Sequence, residues 1–211
     1  IRLVFGEAVT ALDSAGPRVT AAVGRGGNRY PADLVVIGIG IEPNAEQARA
    51  AGLATTNGVD VDTYLRTCDD NISALGDCAY FPCRHAGAPT RRESVQNAAD
   101  QARALARTLT GTPTEYRELP WFWSHQGALK LQIAGISRPS DTRIVHGDQA
   151  AGKFSVFCFR QGVLGCVESL NSPGVHLAAR KILAAGAPPT FAELSAVDFD
   201  LKYLSKGLFA V

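Results

Sequence analysis

Residues 32–40 read ADLVVIGIG, an apolar run with no polar alternation after Asp33. A strand with one wet face alternates apolar and polar residues, so an uninterrupted run asks for cover on both faces. The run predicts a buried strand over 32–40 and with it an α/β fold, because layers on both sides of a sheet are what such a strand requires. Pro43 and Asn44 break the run. Asn44 with Gln47 predicts the cap of a short helix that stops at Gly52.

Around this element the chain falls into three stretches, 1–43, 44–116 and 117–211. In the first, residues 1–5 (IRLVF) and 19–23 (VTAAV) read as short strands, followed by a turn at Gly26, Gly27 and Asn28. In the second, Val59, Asp60, Val61 and Asp62 alternate as a strand, and residues 71–78 (NISALGDC) predict a strand that ends in Gly76-Asp77. Such an ending places a carboxylate at the edge where open sheets hold ligands. Residues 94–109 predict a helix, since Val95, Ala98, Ala99, Ala102, Leu105, Ala106 and Leu109 recur at helical spacing. Ser94 is its cap, and Gly111 with Pro113 ends it.

From about residue 117 the pattern changes. Leu129, Leu131 and Ile133 alternate with Lys130 and Gln132 as a half-buried strand, and residues 153–160 and 163–170 flank Gln161-Gly162 as a hairpin. Ser172-Pro173 predicts a helix start running to Gly186, and Thr190 with Glu193 a capping box for another. This stretch reads as a separate α+β domain.

Composition narrows the function classes. With 211 residues, 46% hydrophobic and 19% charged, the chain has the makings of one or two packed cores. A formal charge of +1 lacks the basic excess that nucleic-acid binding needs, so no nucleic-acid partner is expected. No apolar stretch is long enough to span a bilayer, and no basic-then-apolar leader is present, so no membrane partner and a cytoplasmic location are expected. The chain begins in mid-strand and contains no methionine, which predicts a piece of a longer polypeptide. Five cysteines, odd in number and in no metal-ligand spacing, predict free thiols and no metal site.

Five segments in fixed order carry the functional signal: LVVIGIGIEPN (34–44), ALGDC (74–78), ESVQNAA (93–99), PWFWSHQG (120–127) and LKLQIAG (129–135). Their order and wording resemble the FAD-dependent ferredoxin reductases of the putidaredoxin reductase type, which serve aromatic-ring dioxygenases and cytochromes P450. The resemblance covers essentially the whole chain. PWFWS followed by LKLQIAG is its most specific part, while Gly-Asp alone is weak.

The resemblance implies the carboxyl-terminal half of a glutathione-reductase-like flavoprotein with two dinucleotide-binding domains. Residues 1–43 would end the NADH domain, 44–116 would be the returning part of the FAD domain, and 117–211 the carboxyl-terminal α+β domain. The cofactors implied are FAD and NADH, and the partner a [2Fe–2S] ferredoxin. Residue by residue, Asp77 with Gly76 matches the position that holds the ribityl chain of FAD. Ser94 and Val95 match the helix start beside the flavin, Glu93 meets the nicotinamide, and Trp123 covers the isoalloxazine. Gly38 joins the cofactor-binding set.

Physical chemistry supports these residue types without selecting them. Asp77 can accept hydroxyl hydrogen bonds or simply shape a turn. A helix start offers free amides and a positive dipole end to the anionic edge of a reduced flavin, yet the same helix could be one more core helix. Trp121 reads as packing at a domain interface. Arg84, His85, Arg91 and Arg92 form a basic cluster, either a solvated loop face or, for the three arginines, a rim that steers an acidic ferredoxin. His125 departs from the family, where Asp is common. No stretch completes G-x-G-x-x-G between a strand and a helix, so the pyrophosphate cradles are absent and the isolated chain is expected to bind FAD weakly or not at all.

Other readings remain: a related FAD-dependent reductase acting on rubredoxin, a quinone or a radical, and an interaction flavoprotein of the apoptosis-inducing-factor type. A pyridine-nucleotide disulfide reductase would carry a terminal His-Pro-Thr with a paired Glu, a setting that His146 and His176 lack.

Overall fold

A computed structural model describes residues 1–186, 188–195 and 201, and the chain divides into two compact units, Ile1–Glu42 and Pro43–Val211. The first unit is built on an antiparallel sheet of β1 (Val9–Ala15), β2 (Arg18–Gly24) and β3 (Arg29–Pro31), in that order. The predicted turn at 26–28 joins β2 to β3. Glu7 braces it, its carboxylate accepting the Gly26 amide at 3.0 Å and the Asn28 side chain at 3.1 Å.

Two strand expectations fail in this unit. Residues 1–5 join no ladder, and neither does the apolar run at 32–40. Its side chains stand exposed, Leu34 at 80%, Val36 at 87% and Ile39 at 92%. The reason is that apolar composition sets where a strand would be stable but supplies no neighbour to pair with. Among the described residues none hydrogen-bonds to 34–40 as a strand, and the sheet stops at Pro31.

The second unit opens with α1 (Glu46–Ala50), which starts at Ala45 with no side-chain cap, so the predicted Asn44/Gln47 cap does not form. It ends as expected near Gly52, at φ +80°. A small sheet follows, in the order β4 (Val59–Asp60), β5 (Ala79–Cys83) and β6 (Ala88–Arg91), with β4 parallel and β6 antiparallel to β5. The expected strand over 71–78 is not one. Residues Gly76–Cys78 form a 3₁₀ turn that precedes β5. Gly76 explains the difference, because its φ of +77° lies in the left-handed region and breaks any ladder at that point. Asp77 therefore sits on a turn before a strand rather than at a strand's end.

The long helix α2 (Val95–Leu109) forms as its period predicts and packs Ala104 and Leu105 against Leu65, Ala79, Phe81 and Tyr116. Phe81 and Tyr116 meet edge-on with ring centres 5.4 Å apart. Ser94 caps the helix, its hydroxyl accepting the Asn97 amide at 3.1 Å.

The remainder is a five-stranded antiparallel sheet of β7 (Trp121–Gln126), β8 (Leu129–Gly135), β9 (Thr142–Asp148), β10 (Lys153–Arg160) and β11 (Val163–Leu170), ordered β7-β8-β11-β10-β9. The predicted hairpin joins β10 to β11. Both turn residues, Gln161 at φ +50° and Gly162 at φ +79°, adopt the left-handed conformation that tight hairpins use. Helix α3 (Pro173–Ala184) lies on β8 and β11, burying Ala178, Ala179 and Ile182 against Ala134, Phe157, Phe159, Leu164 and Val167.

The Ser172 hydroxyl does not cap α3 but donates to the Leu170 carbonyl at 3.1 Å. The Thr190/Glu193 capping box does form at α4 (Phe191–Ser195), with the Thr190 amide donating to Glu193 at 2.7 Å and the Glu193 amide to the Thr190 hydroxyl at 3.4 Å. Of the expected third stretch, residues 187, 196–200 and 202–211 lie outside the described residues.

Candidate functional site

Three elements of the second unit meet at one place: the turn at Gly76–Cys78, the start of α2, and β7. The turn is fastened from behind by α2, where the wholly buried Gln101 accepts the Gly76 amide at 2.7 Å. The Gln101 side-chain N–H₂ has no acceptor among the described residues. From in front, Arg91 at the end of β6 donates to the Asp77 backbone carbonyl at 3.1 Å and pairs with the Glu93 carboxylate.

The start of α2 is fixed as firmly. Asn97 donates to the Arg92 carbonyl at 3.2 Å and accepts the Tyr116 hydroxyl at 3.1 Å. Burial, with Asp100 adding to it, pushes the Tyr116 phenol well above its usual range, so it stays a neutral donor. Ser94 satisfies the Asn97 amide, while the amides of Val95 and Gln96, in the first turn, have no intrahelical acceptor. The Val95 side chain is 72% exposed, which leaves the helix end open. Gln96 ties this end to β7 by accepting the Trp121 amide at 3.3 Å.

On β7, Trp121 and Trp123 share a face, as alternation requires, and stack with centres 5.3 Å apart at 30°. The guanidinium of Arg180 lies 4.0 Å over the Trp121 ring, and His176 lies 5.9 Å from it. Burial, then the neighbouring Arg180 charge, lowers the His176 pKa to about 4, so this imidazole is neutral. Trp121 is thus committed to packing within the unit, while Trp123 remains partly open.

Asp77, Glu93, Ser94, Val95, Phe122 and Trp123 line a single cavity of about 340 Å³. A second cavity of about 390 Å³ shares Glu93, Ser94 and Phe122 and adds Arg91, Arg92 and Trp121. The structure therefore brings together five of the predicted site residues, Asp77, Glu93, Ser94, Val95 and Trp123. Gly76 is buried in the turn behind them. Gly38 belongs to the first unit and is no part of this cavity.

The basic cluster divides. Arg84 is exposed and donates to His85 at 3.2 Å, Arg92 keeps a buried Nε with no partner among the described residues, and Arg91 is turned inward onto Asp77 and Glu93. Burial, followed by the Arg84 charge, lowers the His85 pKa. His125 is exposed, opposite Lys130. Sequence reasoning missed Gln96, Gln101 and the inward role of Arg91. A signal for Gln101 was present: Asn97 and Gln101 are four apart on the stripe that continues into buried Ala104 and Leu105, and polar residues there need partners. No cluster of three or more potential metal ligands occurs among the described residues, and no helix there is long and apolar enough to cross a membrane.

Two family models account for most of the chain, pyridine nucleotide-disulphide oxidoreductase over residues 1–102 and reductase C-terminal over 121–205. Rhodocoxin reductase of Rhodococcus erythropolis is 48% identical over 202 residues, 96% of this chain and 47% of that protein. The chain belongs to the ferredoxin reductase family. It also matches solved structures of ferredoxin reductases. The ferredoxin reductase for the CYP199A2 system from Rhodopseudomonas palustris superposes with a TM-score of 0.91 at 45% identity, covering 97% of this chain and 51% of that one. Putidaredoxin reductase, in its covalent complex with putidaredoxin, gives 0.88 at 35% identity, covering 98% and 50%. The chain spans about half the length of these relatives.

Proposed function

We propose that this chain is the flavin-facing and carboxyl-terminal part of an NADH-dependent, FAD-containing ferredoxin reductase that delivers electrons to a [2Fe–2S] ferredoxin of an oxygenase or cytochrome P450 system. The observation that carries the reading is the single cavity lined by Asp77, Ser94, Val95 and Trp123. Its lining fits a flavin: a carboxylate for sugar-alcohol hydroxyls, the Val95 amide at the start of α2 for an electron-rich ring edge, and an indole for a flat face. The orphan amide of buried Gln101, beside the Gly76 turn, adds a donor that the described residues leave unused.

FAD, when bound, supplies the conversion of a two-electron hydride into single electrons. The chain's own residues bind and orient. Asp77 accepts ribityl hydroxyls, and Arg91 keeps that carboxylate's backbone in place. The α2 dipole and the Val95 amide favour negative charge at the ring edge. Glu93 faces the nicotinamide with its own charge partly offset by Arg91, and Trp123 excludes water from the ring. Arg84 and Arg92 supply positive charge that steers an acidic ferredoxin and sets orientation more than affinity. Residues 1–43, 44–116 and 117–211 are the parts contributed to the NADH, FAD and carboxyl-terminal domains.

The test is a chimera in which this chain replaces the matching half of rhodocoxin reductase. The expected protein is yellow and reduces a [2Fe–2S] ferredoxin with NADH faster than it reduces a rubredoxin or a quinone. Asp77→Ala and Trp123→Ala are expected to lower flavin occupancy. Full flavin content in both variants would overturn the assignment of the cavity.

A further inference from the structure

Cys158 on β10 and Cys166 on β11 stand directly opposite each other in the antiparallel register, away from the cavity described above. Directly opposed residues of such a ladder have Cα atoms about 4.5–5.5 Å apart, inside the roughly 4.4–6.8 Å that a disulfide spans. Alternation places both on the same face. Their chain neighbours Phe157 and Val167 belong to the core that packs on α3, so the two cysteines face the other way. Both are free thiols and both are 0% exposed.

The surroundings make the two sulfurs unequal. The Cys166 thiol beside it and the Arg143 side chain, opposite Cys158 on β9, both favour the Cys158 thiolate. Against burial and the nearby Glu168 charge, these neighbours hold the Cys158 thiol below its usual range. Cys166, paired with Cys158 and itself buried, is pushed above it. Arg143 stands opposite Cys158 in the ladder, so its positive charge marks Cys158 as the nucleophile and Cys166 as its resolving partner.

We infer that Cys158 and Cys166 form a redox site, a cross-strand dithiol that closes reversibly to a disulfide on reaction with hydrogen peroxide. In the first step the Cys158 thiolate attacks one peroxide oxygen. The O–O bond breaks, Cys158 becomes a sulfenic acid, and hydroxide leaves, taking up the proton released by Cys158. In the second step the Cys166 sulfur attacks the Cys158 sulfur, the S–O bond breaks, and the Cys166 proton leaves with the departing hydroxide as water. Two thiols lose two electrons and two protons, and one peroxide becomes two waters. A small uncharged oxidant suits a site this buried. Cover comes from the segment after β8, where the Ile136 amide donates to the Gly165 carbonyl at 3.3 Å and Arg160 donates to the Ile136 carbonyl at 3.1 Å. Peroxide enters by local opening of this cover, so closure is slower than oxidation of the exposed Cys68.

The test treats the protein with hydrogen peroxide, alkylates under denaturing conditions and maps the cysteines by mass spectrometry. The expected product is a linked 158–166 peptide pair that has lost two hydrogens and returns to two thiols with dithiothreitol. In Cys166→Ser a dimedone-reactive sulfenic acid is expected at Cys158, and in Cys158→Ser residue 166 is expected to stay reduced. The mapping of the unaltered protein stands without either variant. The inference is overturned if both cysteines remain alkylatable after Cys68 is fully oxidised, if Cys158 pairs elsewhere or goes on to the sulfinic acid with Cys166 free, or if the sulfenic acid forms at Cys166.

Discussion

Gln101 holds Gly76 across 25 residues of chain, its side-chain oxygen accepting the Gly76 amide at 2.7 Å with Gln101 wholly buried. This bond converts a glycine with a left-handed backbone into a fixed turn and so sets where the Asp77 carboxylate begins. Gln101→Leu keeps the volume but removes the acceptor, leaving a buried N–H unpaired. A loss of about 1–3 kcal/mol in urea unfolding is expected, the usual cost of such an orphan. Gln101→Glu restores an acceptor but buries a carboxyl that is stable there only when protonated. It should therefore recover toward the parent stability as pH falls. Equal stability of the Leu variant and the parent would mean that the turn does not depend on this bond.

A second close approach joins β8 to β11. Gly135 has φ +85°, and a Cβ placed there would strike the Gly165 carbonyl oxygen and press on the Cys166 Cα, both of them backbone atoms. Neither can swing aside as a side-chain end would. Gly135→Ala is expected to destabilise by more than about 1 kcal/mol, since positive φ and overpacking act together. Gly162→Ala is the control, having positive φ but open space around the Cβ, and should cost less. Thermal unfolding of the two variants measures the difference, and a larger loss at Gly162 would contradict the geometry.

His176 makes stability depend on pH. Its pKa is about 4 in the fold against an ordinary 6.5, because burial and then Arg180 disfavour the charged form. Between those values an unfolded chain holds a proton that the folded one does not, so acid favours unfolding. The stability this group protects is complete above pH 6.5 and falls as the pH drops toward 4. At about 1.4 kcal/mol per pH unit of separation, the full loss is on the order of 3 kcal/mol. Both ring nitrogens lack hydrogen-bond partners among the described residues, so His176→Leu is expected to cost little near neutrality and to flatten the pH dependence. Urea midpoints from pH 7 to pH 4 test it; an unchanged slope in the variant would assign the acid sensitivity to other groups.

Local rules were legible in the sequence where one residue type decides the outcome. Ser94 caps α2, Gln161-Gly162 turns the hairpin, and Thr190 pairs with Glu193, because each needs only its immediate neighbours. Asn44 and Ser172 failed in the same role because a suitable oxygen is not enough without the backbone approach that a cap requires. At Gly76-Asp77 a turn replaces the expected strand end, since the residue types in 71–78 say nothing of the sign of φ at Gly76. β9 was missed because it is an edge strand with mostly exposed side chains, and so carries no apolar rhythm. The cavity residues were legible as a set only through the order of five motifs. The contacts that place them, from Gln96, Gln101 and Arg91, join residues whose pairing no local pattern specifies.

The apolar run at 32–40 yields the last prediction. Leu34, Val36, Ile37 and Ile39 range from 68% to 92% exposed and have no ladder partner among the described residues. With no ladder partner, and no charge over 34–40, this segment offers both free backbone groups and apolar surface to a second copy. Concentration-dependent self-association of this chain is therefore expected, strengthened by sulfate, which favours apolar burial. Val36→Lys with Ile39→Lys places two charges on the segment and should weaken association. Because neither side chain is packed, folding stability should change by no more than about 0.5 kcal/mol each. Sedimentation velocity across a concentration series, with unfolding midpoints alongside, separates the two effects. If the double variant associates as strongly as the parent, the contact lies elsewhere; if it loses stability substantially, the segment is packed after all.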